Sequence, residues 1–362
     1  MGFLKKIFGA KEKFTVTDYA SFWNWFTQHA DSFHGIVKGH KDVEEKFLDK
    51  VIPVLKQIDD NFFCLVGMYD DNTAEMVITT DGVIKSIVFA EEITAAAPAL
   101  QNWKFTALKP ALGFEMNINM DGYEFSKQNL SFINNNLPGY PDEIDITLVH
   151  NDYNEKDKNI IGNGSLIYLD NALGELNTIL LIDNVSISGR SAEQQELIPV
   201  TKLNEFLVWR EKEFVEKYKA VRYNTENDEY SAYEAQDEKG LPVLAIVDKV
   251  LLDWDAKPSH PWLMKIEISY DGRKTNGMPS PEVYAIMSQF EEELVKLLPD
   301  SEGYLNLGRE TYNNKRTTYF ACVEFRQASK KTQALLKNFK QKLNIEYEIY
   351  KDKYWMTMNR YS

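Results

Sequence analysis

Apolar residues along this chain repeat in two periods, every second residue in some stretches and every third or fourth in others. Their alternation divides the chain into strands and helices. The clearest case is residues 304–325, YLNLGRETYNNKRTTYFACVEF, where two alternating segments, 304–312 and 317–325, flank the turn-forming pair Asn313-Asn314 and predict a β-hairpin. On either side lie helical patterns. Ser280-Pro281 opens one with Val283, Ile286, Met287, Phe290, Leu294 and Leu297 on one face, and Ser329 is expected to cap another carrying Leu335, Leu336, Phe339 and Leu343. Strands over 262–270 and 345–350 complete the order β-α-β-β-α-β, a ferredoxin-like pattern.

Upstream, Thr17 or Asp18 is placed to cap a helix with an aromatic stripe, Tyr19, Phe22, Trp23, Phe26 and Phe33, and Asp42 with Glu45 suggests a capping box for a second helix that Pro53 should kink. A hairpin is expected over 61–69 and 75–80, a helix over 83–97, and strands at 103–108, 114–120, 130–133 and 143–149. A helix over 160–173, a long buried strand over 177–187 and a charged helix over 203–218 come next; 226–240 reads as a polar, turn-rich stretch and 241–252 as a nearly continuous apolar strand. The fold class is α+β, in two domains, each a mostly antiparallel sheet with helices on one face. The expected division is a tail at 1–14, a first domain over 15–200, a bridge over 201–257 and a ferredoxin-like domain over 258–362.

Composition supports buried cores: 44% of the 362 residues are hydrophobic and 13% aromatic. The two cysteines, Cys64 and Cys322, sit in apolar strand contexts and read as free buried thiols of a reducing compartment, hence a cytoplasmic protein. No run approaches the ~20 apolar residues of a membrane span. The tail, MGFLKKIFGAKEKF, lacks a signal-peptide core, and its Phe3, Leu4, Ile7 and Phe8 among lysines could touch anionic lipid only over a turn or two. Net charge is −14, divided into −17 for residues 1–257 and +3 for 258–362, which argues against a nucleic-acid footprint on the first part.

Candidate chemistry is sparse. No phosphate loop or dinucleotide fingerprint occurs, so no cofactor is implied, and Gly162-Asn163-Gly164 reads as a turn. His29, His34 and His40 lie at intervals of five and six, unsuited to a helical metal pair. Carboxylates such as Asp70-Asp71, Asp142-Glu143 and Glu291 to Glu293 read as solvated charge. Residues 318–325, TYFACVEF, partly fit the RNA-recognition signature through Phe320, Ala321, Val323 and Phe325, but Tyr319 and Cys322 replace residues that stacking needs. Basic residues gather around the hairpin, and Arg309, Lys315, Arg316, Arg326, Lys330 and Lys331 form a candidate interaction patch.

Trp262-Leu263, Asn276-Gly277-Met278-Pro279, Gly308-Arg309 with Thr311, Tyr319-Phe320-Ala321 and the terminal run from Tyr350 to Trp355 resemble, in this order, the domain-of-unknown-function 695 family, a bacterial group. The resemblance covers residues 205–362, most closely from 258, and includes no catalytic motif. That family is in turn distantly similar to regulator of ribonuclease activity B, a small protein that binds and inhibits an endoribonuclease. The resemblance implies a non-catalytic binding or regulatory module with a protein partner. The alternatives are a hydrolase using dispersed acidic residues, or Arg309 and Glu310, in an interdomain cleft, and RNA binding by the C-terminal sheet.

Overall fold

Asp18 closes an extended segment and starts the first helix: its carboxylate accepts from the Ser21 N–H at 2.8 Å while the Ser21 hydroxyl accepts from the Asp18 N–H at 3.1 Å. The structure, a computed structural model, describes residues 15–190 and 196–361. The tail at 1–14 lies outside the described residues. The chain forms two compact units, Met1–Lys109 and Pro110–Ser362, so the cut expected near residue 200 falls inside the second.

In the first unit, helix α1 (Tyr19–Gly39) buries Phe22, Trp23, Phe26 and Phe33. The Phe26 ring meets Trp103 and Phe105 edge-on at 5.1 and 5.4 Å, which makes an aromatic spine between helix and sheet. Asp42 has positive φ and makes no capping box. The chain instead winds through a π-helical turn, Glu44–Leu48, into α2 (Asp49–Leu55), which contains Pro53. Strands β1 (Phe63–Met68) and β2 (Ala74–Thr79) form the expected hairpin, its turn held by Asp70, which accepts from the Asn72 and Thr73 N–H groups at 2.8 and 2.7 Å. Helix α3 (Ile84–Ala95) then crosses over, so that β3 (Trp103–Ala107) pairs parallel to β2.

The second unit begins with a short hairpin, β4 (Ile118–Met120) and β5 (Tyr123–Phe125), beside a sheet of β6 (Leu130–Asn135), β7 (Asp145–His150), β8 (Asn184–Ser188) and β9 (Ile198–Pro199) in the order β8-β7-β6-β9. Strands β7 and β8 run parallel, since α4 (Lys158–Leu173) and α5 (Glu175–Leu181) connect them. The long strand expected over 177–187 is therefore a helix and then a short strand: the apolar run Ile179 to Ile182 is too brief to separate the two periods. Gly162-Asn163-Gly164 is no turn but part of α4, where a Cβ on Gly164 would stand 2.1 Å from the Phe125 ring. Phe125, Phe132, Ile146, Leu148, Tyr168 and Leu169 belong to the core, closed by α6 (Leu203–Tyr218) through Leu203 and Leu207.

The remaining strands make one six-stranded antiparallel sheet in the order β10-β11-β13-β14-β12-β15. They are β10 (Tyr230–Gln236), β11 (Pro242–Asp248), β12 (Trp262–Ser269), β13 (Tyr304–Tyr312), β14 (Lys315–Cys322) and β15 (Asn344–Lys351). A short α7 (Lys249–Leu252) comes after β11, α8 (Pro281–Leu297) after β12, and α9 (Arg326–Phe339) after β14. The strand-helix-strand-strand-helix-strand order of β12 to β15 is the order read from the sequence. Helix α9 starts four residues earlier than expected, capped at Phe325, and buries Ser329 within it. The polar stretch 226–240 contains β10, which adds a hairpin with β11 to the sheet beside β13. Helices α8 and α9 pack together on one face, Phe290 edge-on to Phe339 at 5.3 Å. Leu263, Leu305, Leu307, Tyr319 and Ala321 cover the other face against Trp355 and Met358.

Cys64 and Cys322 are free and buried. Burial alone pushes the Cys64 thiol up to about 12, so it is a packing residue rather than a nucleophile. No helix among the described residues is long and apolar enough to cross a membrane.

Candidate functional site

Helix α8 covers β13 and β14 but stops short of the β10–β11 hairpin. The strip left open is a groove of about 660 Å³ lined by Tyr230, Ile246, Tyr284, Leu294, Val295 and Arg309, among others. Its walls carry large apolar side chains in contact with solvent: Tyr230 is 51% exposed, Tyr284 46%, Val295 43% and Ile246 37%. Such residues on three neighbouring elements form a contiguous apolar surface rather than scattered single side chains. Strand β10 lies at the end of the sheet and, among the described residues, pairs only with β11.

The floor of the groove is polar. Arg309 on β13 stands opposite Thr318 on β14, and Thr311 opposite Arg316, so their side chains alternate onto the α8 side of the sheet. Glu291, one turn before the groove-lining Leu294 and Val295 of α8, receives three of these groups. Arg309 Nη1 and Arg316 Nη1 both donate to its Oε2, at 2.8 and 3.3 Å, and the Thr318 hydroxyl donates to its Oε1 at 3.1 Å. Arg316 is only 3% exposed. It donates through Nε to the Thr311 hydroxyl at 3.0 Å and its guanidinium lies 4.9 Å from the centre of the Tyr284 ring. The Arg309 side chain is held by Glu291 and keeps 31% of its surface exposed, lining the groove. Two guanidiniums thus share one carboxylate, which leaves one positive charge at the floor of an apolar-walled groove.

Of the six basic residues predicted as a patch, the structure brings Arg309 and Arg316 together here and distributes the others. Lys315 pairs with Glu267 at 3.1 Å, and Lys331 pairs with Glu302 while lying 5.2 Å from the Tyr304 ring. Arg326 and Lys330 occupy the first turns of α9. Glu310, named beside Arg309 in the sequence, points the opposite way and accepts from the Tyr361 hydroxyl. Phe320 is 1% exposed and lies beneath α8, on the covered face of the sheet. Tyr319 and Cys322, which stand where the RNA-recognition signature has a glycine and a stacking aromatic, are both buried.

Two charged clusters were not legible as such. Asp228 and the fully buried Asp248 each keep a carboxylate oxygen that is buried and meets no hydrogen-bond donor, while Asp248 also caps α7 through the Leu251 N–H at 3.1 Å. Burial and then the neighbouring Asp248 push Asp228 up to about 6. At the far edge of the sheet, Lys351 donates to the Leu180 carbonyl at 2.7 Å and pairs with Asp183 at 2.9 Å. Lys353 pairs with the other oxygen of Asp183 at 2.8 Å and donates to the Asp142 carbonyl at 2.7 Å. Burial lowers Lys351 to about 8. A pocket of about 450 Å³ adjoins this cluster. With its donors committed to backbone and Asp183, the cluster fastens β15 to the segment before β8.

His29 and His34 bind the carbonyls of Trp25 and Asn72, both at 2.8 Å, and His40 forms the left-handed end of α1. No group of three or more His, Cys, Asp or Glu side chains among the described residues could hold a metal ion.

Residues 247–361 match the model of a family described as "Family of unknown function (DUF695)". The match takes in β12 to β15 with α8 and α9, and thus Glu291, Arg309, Arg316 and Tyr284. It begins at the end of β11 and omits β10, so the hairpin that forms the groove's outer wall lies almost wholly outside it. The chain matches no curated protein and no solved structure.

Proposed function

We propose that this protein is a binding module for a protein partner, and that the groove between α8 and the β10–β11 hairpin is the surface it uses. One observation carries the reading. Apolar side chains of β10, β11 and α8 stay exposed around a preformed concave site whose floor is fixed by buried hydrogen bonds. Exposing such a surface is unfavourable by roughly 25 cal/mol per Å² of apolar area, a cost that a partner's apolar side chains relieve. The open edge of β10 adds a row of backbone donors and acceptors that an extended segment can engage. A regulatory role, the bacterial origin that the family resemblance implies and the cytoplasmic setting expected from the buried cysteines fit a module that binds without carrying out chemistry.

Affinity capture from native host lysate tests this with the full-length protein, Ile246→Asp, Val295→Asp and a control at the exposed Val208 of α6, Val208→Asp. A partner retained by the wild type and the control but lost by both groove variants is the expected result. Equal retention by all four proteins contradicts the assignment of the groove.

A further inference from the structure

We infer that the groove recognises an extended segment of its partner in which a single carboxylate, from Asp or Glu, is flanked by aliphatic or aromatic residues, the carboxylate seating on Arg309. This rests on the groove being the binding surface and names what the surface reads.

The charge count at the floor sets the ligand's sign and size. Glu291 neutralises one of two guanidiniums, and both Arg316 and Glu291 are at least nine-tenths buried. A partly buried, uncompensated cation is costly in a low-dielectric site, and one negative charge removes that cost. A carboxylate supplies one charge and a planar pair of acceptors, which suits the guanidinium fork that Arg309 presents to the groove. A doubly charged group would exceed the single available charge. At the rim Glu292 and Lys296 carry opposite charges, and the Asp228 and Asp248 carboxylates act on the wall residue Tyr230 rather than on Arg309.

Pre-organisation sharpens the site. Arg309 is oriented by Glu291, and Glu291 is held in turn by Arg316 and Thr318, so little side-chain freedom remains to be lost on binding. The walls set the flanking residues. Tyr230 and Ile246 on one side and Tyr284 and Val295 on the other offer apolar contact along the groove on both sides of Arg309. A groove open at the sheet's edge and walled by a strand pair suits an extended peptide.

The test selects a random dodecapeptide display library on the folded full-length protein, then measures binding of synthetic versions of the enriched peptides by fluorescence anisotropy. Enriched peptides are expected to carry Asp or Glu beside aliphatic or aromatic residues. Replacing that acid by its amide should weaken binding at least tenfold on the wild type and less than twofold on Arg309→Gln. Arg309→Lys, which keeps the charge without the fork, should fall between. The acid-to-amide change is made on the peptide, so the answer does not depend on every protein variant folding. Peptides that Ile246→Asp abolishes but whose amide analogues bind within twofold of the acids would overturn the carboxylate reading and leave the groove standing. Peptides indifferent to Ile246→Asp, or no enrichment at all, would overturn both.

Discussion

Glu291 is the residue on which the site depends, and its role comes from what surrounds it rather than from its place in the run Glu291 to Glu293. Replacing it by Gln would leave Arg309 and Arg316 facing each other with no anion, one of them almost fully buried. The expected loss is about 3 kcal/mol or more, as for breaking a buried ion pair from one side, whereas Glu292→Gln at the rim should stay within roughly 0.5 kcal/mol. Urea unfolding monitored by tryptophan fluorescence separates the two. Arg309 was visible in the sequence as a charged residue in a hairpin; its partner was not, because Glu291 is eighteen residues upstream on another element and shares its local pattern with two solvent-facing neighbours. The same limit hid the Asp228–Asp248 pair. A folded-state pKa raised to about 6 means that Asp228 contributes stability fully below about pH 4, and that the contribution is lost as pH rises through 6. Tyr223, Tyr230 and Asp300 also face Asp228 or Asp248. Asp228→Asn should therefore flatten stability between pH 4 and 7 and raise it at pH 7, on the order of 1 kcal/mol after discounting for solvent reaching Asp228. Thermal unfolding midpoints of the two proteins across that range check it.

Among the elements, the β10–β11 hairpin decides whether there is a groove at all, and one glycine decides how closely it docks. Gly308 sits at the irregularity in the β13–β14 pairing with φ of +133°, and a Cβ there would stand 2.4 Å from the Ile246 carbonyl oxygen and 2.6 Å from Val247 Cα. Gly308→Ala should push β11 off β13, destabilise the protein by about 2 kcal/mol and speed amide exchange across 230–248. Unchanged exchange there would show that the hairpin is not held by this approach. The central hairpin, β13 with β14, was fully legible because two alternating segments met at a turn pair in which both asparagines adopt positive φ. Strand β10 was not, because nearly all its residues are exposed and an edge strand with no buried face shows no alternation. The strand expected at 177–187 failed for the converse reason: a short apolar run fits a buried helix and a buried strand equally, and tertiary packing chooses.

At the scale of the molecule, the two compact units divide after Lys109, and the charged helix 203–218 expected to bridge two domains lies within the second unit, where Ile198 and Pro199 just before it pair with β6. Charge asymmetry was legible from composition alone; its consequence at the groove was not, since that depends on one buried carboxylate shared by two arginines. The acidic first part and the mildly basic last part leave the net positive charge of the groove floor as a local feature, so binding there should weaken only modestly between low and physiological salt, less than a surface patch of several exposed lysines would. Anisotropy titrations over that salt range with an enriched peptide measure this. The most direct measurement of the central claim is hydrogen–deuterium exchange of the full-length protein with and without a saturating partner or enriched peptide. Protection concentrated in 230–236, 242–248 and 281–297 is the predicted result. Protection confined to other segments, with these three unchanged, would contradict it.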